Sequence, residues 1–298
     1  MSVAEPPIAD RLLIQRAARQ SLPRRRIWGR VVVALCILTT LAALSPLIAV
    51  LGYTVGRGIS AWSVNFFTQL PTPPGIPGGG IANALVGSLI IDGIAAAMAI
   101  PFGIVAGLFL AEQTGRFANT IRFAADVLAG IPSITIGLFA YALLVVTLGH
   151  FSSFAGSFAL AVLMLPVIMR TSDAAIRGVP RDVWEAGVAL GGRRVQVAWR
   201  MVIPAALGGI VTGCLLGLAR AVGETAPLLF TAIGNQFYSF NPGQPMASMP
   251  LNIYLDGIQA APQAQVTAWG TALALIVIVF VLSIGSRLLA RRLTRHAR

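Results

Sequence analysis

The amino-acid sequence predicts an all-α polytopic membrane protein with six transmembrane helices and both termini cytoplasmic. Three observations predict it. Charged residues are only 11% of the 298 and apolar ones 56%, whereas a soluble domain carries roughly one-quarter charged side chains. The apolar residues come in blocks near the ~20 residues that cross a hydrocarbon core of about 30 Å. The 22 Lys-plus-Arg positions are all arginine, and they cluster between particular blocks in the way that sets membrane orientation.

The first block, Val31 to Val55, follows Arg24, Arg25, Arg26 and Arg30. The second, Ala82 to Ala111, contains Pro101, and the third, Phe123 to Leu148, contains Pro132. The fourth, Phe154 to Met169, is the shortest; the fifth runs from Pro204 to Gly234 and the sixth from Trp269 to Leu289. Arginines fall in the N-terminal segment, at 116 and 122, between 170 and 200, and in the tail; only Arg57 and Arg220 lie elsewhere. Six spans with both ends cytoplasmic put all those clusters on one side, which five or seven spans do not. The expected organisation is a basic segment 1–30, a transmembrane domain 31–290 with a long cytoplasmic loop 171–203, and a basic tail 291–298. Residues 1–20 fit either a mobile segment or, over Ile8 to Ala18, a short basic amphipathic helix on the bilayer surface.

The opposite side has two long loops. Pro71 to Gly80 is too rich in Pro and Gly for a helix or central strand, and 235–268 contains Asn241-Pro242-Gly243. Each is long enough to cap the bundle or to meet a soluble partner. Cys36 and Cys214 lie inside apolar blocks and read as small buried hydrophobes without a disulfide. Residues 2–21 are mixed polar and contain acids, unlike a cleavable signal.

Several functions are excluded by what is missing. A nucleotide-binding P-loop needs a lysine that reaches the phosphates, and the chain has none. The histidines, His150 and His296, are remote from each other and from the cysteines, so no metal site or catalytic residue is expected. Arginines sorted between apolar blocks do not make a nucleic-acid-binding stripe. No cofactor is expected in this chain, and any ATP-driven work requires another polypeptide.

The long cytoplasmic loop carries the first functional signal. Pro180 and Asp182 favour a helix start, and Gly191-Gly192 favour its end. Between them Val183, Trp184, Ala186, Val188 and Leu190 form a short apolar patch. A helix so short is unstable alone in water and must dock, either on the bilayer surface or on a cytoplasmic subunit. The run Glu185-Ala186-Gly187, three residues, Gly191, nine residues, then Met201-Val202-Ile203-Pro204 resembles the EAA signature of bacterial ABC importer permeases. Gly187 stands for the usual second alanine and Met201 for the usual isoleucine. The resemblance implies the type I importer permease fold, with Trp184, Glu185, Ala186 and Gly191 in a coupling helix that fits a cleft of the ATPase.

The fifth block holds the most costly residues. Arg220 is 16 residues beyond Pro204, roughly 24 Å along a helix, and an arginine at a membrane helix centre costs roughly 2.5–3.5 kcal/mol on insertion scales. Glu224, one helical turn on, is placed to pair with it. One reading is a structural ion pair; the other is a guanidinium fork that grips an oxyanion through two parallel hydrogen bonds, held by Glu224. Ala205, Gly209, Gly213, Gly217 and Ala221 recur four apart and permit close helix packing in lipid, within this chain or against a second permease.

The run Leu218 to Ala232, with Arg220-Ala221-Val222-Gly223-Glu224-Thr225-Ala226-Pro227 at its heart, resembles the PstA-type permeases of phosphate importers. Gly130-Ile131-Pro132-Ser133-Ile134, Leu165 to Thr171 and Glu112 add to the likeness, which covers roughly residues 80–290. It implies a bacterial inner-membrane location, a PstC-type partner permease, a PstB-type ATPase dimer that binds ATP and Mg2+, and an extracytoplasmic phosphate-binding protein. Arg170, with Asp173 three residues on, is an interface anchor or, as its family counterpart implies, part of the transport route. Asp92 has no cation near it in sequence and pairs with Arg220 or sits in a wet cavity. Ser133 follows Pro132 and marks a helix bend or a pathway-lining hydroxyl. Two other cargoes or classes compete: another oxyanion (sulfate, molybdate, phosphonate) on the same architecture, and an ion-coupled carrier, for which inverted repeats are common and none is visible.

Overall fold

A computed structural model of the chain describes residues 8–73, 76 and 78–295. Residues 1–7 and 296–298 of the expected basic ends, with His296, and Pro74, Gly75 and Pro77 of the Pro/Gly loop lie outside the described residues. The described residues are helical with connecting turns and contain no strand. They divide into two units, Met1–Tyr53 and Thr54–Arg298.

The first unit is the greater part of helix α1, Ile8–Gly58, which takes in both the expected first span and the segment before it. From Arg26 to Tyr53 its side chains are exposed, Val32, Leu38, Leu41 and Ile48 each by half or more, as suits a helix solvated by lipid. Such a helix must satisfy every backbone group itself. Pro46 has no N–H for the carbonyl of Ala42, and Ser45 Oγ donates to that carbonyl at 2.9 Å.

The second unit contains a short α2 (Val64–Thr68), α3 (Ala82–Glu112), α4 (Arg116–Gly130), α5 (Ser133–Ala140), α6 (Val146–Leu148) and α7 (Ser153–Arg177). These are followed by α8 (Arg181–Ala189), α9 (Arg194–Val197), α10 (Ile203–Val222), α11 (Ala226–Thr231), α12 (Met249–Gly257) and α13 (Pro262–Arg295). Its core is α7, held between α3 and α10 by small residues. A Cβ at Gly103 or Gly107 of α3 would lie 2.6 Å from Ile168 Cγ2 or 2.5 Å from Ser172 Cβ. Ile91, Leu160, Met164, Ile168 and Ile210 fill the centre. A smaller core of Phe66, Ile81, Met249 and Ala274 lies under the loops. There Trp62 Nε1 donates to the Gly270 carbonyl at 3.1 Å and the Met249 N–H donates to Ser88 Oγ at 2.8 Å.

Among the described residues, five helices are long and apolar enough to cross a membrane: 26–61, 82–112, 153–177, 194–222 and 262–285. The third expected span is bent at Pro132, where the sequence offers a helix bend. Pro132 separates α4 from the helix that starts at Ser133, and the two parts are bent by 102°; counted as one broken span they make six. The fourth is longer than the apolar block, because its last two turns carry the polar residues Arg170 to Arg177. The fifth is shorter at its far end: it stops at Val222 with Gly223 as its cap, and residues up to Gly234 turn away through α11. At its near end a π-helical turn, Ala198–Val202, joins α9 to α10. Pro204 follows immediately and cannot donate to the carbonyl four residues back, so the wider turn falls where the regular ladder fails.

Candidate translocation site and docking helix

Arg220 lies in the last turn of α10, not at a helix centre. Its charge therefore meets the negative end of the helix dipole, a favourable placement for a cation. Glu224 lies beyond the helix, in the turn that Gly223 opens, and still reaches back: Arg220 Nε is 3.7 Å from Glu224 Oε1, with the two side chains 45% and 21% exposed. That contact is longer than a hydrogen bond, so the pair neutralises charge without using up the guanidinium's five donors. Asp92, half-buried on α3, enters no ion pair among the described residues and is not joined to Arg220. Ser133 is half-buried in the first turn of α5, directly after the break at Pro132.

Arg170 has an ion-pair partner that its sequence neighbourhood does not show. Its partner is Asp126 of α4, and Asp173 is engaged elsewhere. Asp173 binds Arg177 (Nε–Oδ1, 2.6 Å) and Arg122 of α4 (Nε–Oδ2, 3.5 Å). The guanidiniums of Arg122 and Arg177 also donate to the carbonyl of Leu110, the second at 2.7 Å. Leu110 is in the last turn of α3, where carbonyls have no helical partner. Two arginines from two other helices thus cap the end of α3. On α4 the charges run Arg122 then Asp126; on α7 they run Arg170 then Asp173, and they pair in reversed order. That crossed pattern was in the sequence, at i,i+4 and i,i+3 spacing, and it is the signal that reading Arg170 alone had missed.

Helix α8 matches the expected docking element. Pro180 precedes it, Asp182 lies in its first turn, and it ends in a Schellman turn. The Gly192 N–H bonds the Gly187 carbonyl at 3.1 Å, and the Gly191 N–H bonds that of Val188 at 2.9 Å. Gly191 has φ +85°, which a residue with a Cβ adopts only at a cost. Trp184, of the expected docking patch, packs with Val183 partly buried against this chain's own core. Gly187 is buried, while Glu185 and Ala186 are exposed and Val188 and Leu190 stand 47% and 85% free. The outward apolar knob is therefore Val188 and Leu190, two members of the apolar patch read from the sequence.

The small residues of α10 face α7. A Cβ on Gly209 would meet Ala175 Cβ at 2.6 Å, and one on Gly217 would meet Ile168 Cγ1 at 3.1 Å. One on Gly213 would fall 2.5 Å from Thr171 Cβ. These glycines permit close packing inside this chain.

Residues 99–295 match the family described as binding-protein-dependent transport system inner membrane component. The chain belongs to this family. As a member it is a multi-pass inner-membrane transport subunit. The phosphate transport system permease protein PstA of Haemophilus influenzae is 41% identical over 266 residues, covering 89% of this chain and 94% of its own length. PstA of Xylella fastidiosa is 40% identical over 279 residues (93% and 97%), and PstA 1 of Mycobacterium tuberculosis 36% over 288 (92% and 91%). Among solved structures, a bacterial alginate ABC transporter in complex with an alginate-bound periplasmic protein superposes with a TM-score of 0.62 at 14% identity, over 93% of this chain and 98% of that one. The inward-facing MetNI methionine transporter gives 0.58 at 19% identity, over 72% and 94%. These two share the fold of type I importer permeases with this family member, and at such identities the fold alone.

Proposed function

We propose that this chain is a permease subunit of an ATP-driven importer of inorganic phosphate, forming half of the translocation pathway and coupling through α8 to a separate ATPase. The observation that carries the reading is the relationship to proteins named PstA across 89% of the chain. The chemistry of Arg220 agrees with it. A guanidinium whose counter-ion stands off at 3.7 Å has donors to offer a tetrahedral oxyanion, and Glu224 keeps the grip weak enough for release. Asp92, Ser133 and Arg170 are the further residues assigned to the pathway. The termini and α8 are assigned to the cytoplasmic side, on the placement of the arginines. The assembly would comprise a PstC-type second permease, a PstB-type ATPase dimer holding ATP and Mg2+, and an extracytoplasmic phosphate-binding protein.

The test is ATP-dependent uptake in vesicles holding the complete transporter and its binding protein, with phosphate, arsenate, sulfate and molybdate compared. Phosphate should be taken up and sulfate and molybdate left outside. Arg220→Gln should lower phosphate uptake at least tenfold, a loss of about 1.4 kcal/mol or more in effective transition-state binding, with assembly intact. Uptake of sulfate or molybdate in place of phosphate would overturn the cargo, and loss of assembly in Arg220→Gln would reduce Arg220 to a structural residue.

A further inference from the structure

At the end of α3 opposite the Leu110 cluster lies a cavity of about 360 Å3, walled by Pro71 to Pro73, Ile76 and Gly78 to Gly80 of the Pro/Gly loop, the first turn of α3, the segment after α11, α12 and the start of α13. Side-chain amides, the hydroxyls of Thr72 and Thr267 and one carboxylate, Asp256, line it, and among the described residues no arginine or histidine does. Asn83 is 4% exposed; its Nδ2 donates to the Asn235 carbonyl at 2.6 Å, which fixes the orientation of the amide, and its Oδ1 is buried without a partner. Asp256 accepts from Gln259 Nε2 at 3.1 Å and forms no ion pair among the described residues. Burial pushes its carboxyl up to about 6, with the Gln259 hydrogen bond opposing. The wall between them contains Ile233 at φ +56°, a strained conformation for a β-branched residue.

The one charged group lining the cavity is the Asp256 carboxylate, with no cation beside it among the described residues, so the complementary ligand is a donor with positive charge. Phosphate is the wrong sign for this cavity. Beside it the segment after Asn235 presents Phe237 and Phe240, each 70% exposed, and Tyr238, whose ring stacks on Phe240 at 6.2 Å. Aromatic side chains around a pocket that accepts a single charged group are the composition of a protein–protein contact. We propose that this cavity is a socket for an arginine or lysine side chain of the extracytoplasmic binding protein, which rests on the rim of Phe237, Tyr238 and Phe240. The assignment depends on the importer function proposed above and names the docking point that this function requires.

The experiment uses the complete transporter in vesicles and titrates ligand-loaded binding protein, reading the half-saturating concentration and the maximum of the ATPase rate. Asp256→Asn should raise the half-saturating concentration about tenfold, as for one lost charge contact at an interface. The maximal rate and the rate without binding protein should stay unchanged. Asp256→Glu should remain within about threefold of the parent, and added NaCl should weaken the parent's response more than that of Asp256→Asn. A half-saturation unmoved in Asp256→Asn, or a fall in maximal rate alone, overturns the socket. The readout needs only the cognate loaded binding protein, so a cargo other than phosphate would defeat the functional reading and leave this result standing.

Discussion

Helix α8, the proposed coupling helix, offers the most discriminating perturbation, because its position depends on a missing methyl group. Gly187 stands where importer permeases usually carry alanine, and it packs α8 onto Val197 and Met201. A Cβ there would lie 2.6 and 2.8 Å from the two methyls of Val197 and 2.8 Å from Met201 Sδ. The thioether can swing aside, but Val197 is β-branched and 3% exposed, so neither methyl has room to move. Ordinary contact begins near 3.4 Å, so α8 must lift by about 0.8 Å; overpacking of this kind costs roughly 1–3 kcal/mol. Alanine returns about 0.8–1 kcal/mol of helix propensity, which leaves Gly187→Ala near neutral to ~2 kcal/mol destabilised. The functional effect should exceed the stability effect, since Val188 and Leu190 move with the helix. Vesicles with Gly187→Ala should hydrolyse several times more ATP per phosphate imported, or retain less ATPase on purification. Val197→Ala in the same chain should restore both, a coupling within the roughly 0.5–3 kcal/mol range of contacting residues. Parental values in Gly187→Ala, or failure of Val197→Ala to rescue, would refute the packing account.

Three further outcomes are expected. Reversing the pair as Asp126→Arg with Arg170→Asp should recover at least half of the uptake lost in either single variant, measured as initial rate; no recovery would mean that Arg170 acts on the cargo and not through Asp126. Asp173→Asn removes the shared acceptor of Arg122 and Arg177 and should lower the thermal midpoint of the purified complex by several degrees, consistent with a partly buried charge cluster losing its centre. Gly213→Leu should destabilise this chain itself by forcing α10 off Thr171. If stability holds while the second permease is lost on purification, the glycines face the partner.

Reading by sequence succeeded where one physical effect dominates. The cost of burying polar groups in lipid made the apolar blocks visible, and Pro180 with Gly191 framed α8 because no other residues satisfy those backbone positions so cheaply. It failed where two effects compete. Pro132 marked a bend in the third block, but not its angle of 102°, since hydropathy records burial and not direction. The tail of the fourth helix looked like loop because it is charged; those charges are spent on one another and on the Leu110 carbonyl, a solution that exists only once α3, α4 and α7 meet. Arg170 has Asp173 as its nearest acid in sequence, yet in space it pairs with Asp126.

The fifth helix shows the same competition at the residue that matters most. A continuous apolar block argued for a rod through Gly234, which would have left Arg220 mid-helix with a fully regular Glu224 partner. Instead Gly223 ends the helix two residues after Ala221. Ending it there places the guanidinium beside unpaired helix carbonyls, where a cation is welcome, and moves Glu224 onto a turn from which it reaches only to 3.7 Å. A regular helix would have favoured a closed, fully satisfied pair. The break leaves a cation stabilised from behind by the helix end and only loosely occupied in front, an arrangement that a visiting anion can enter and leave.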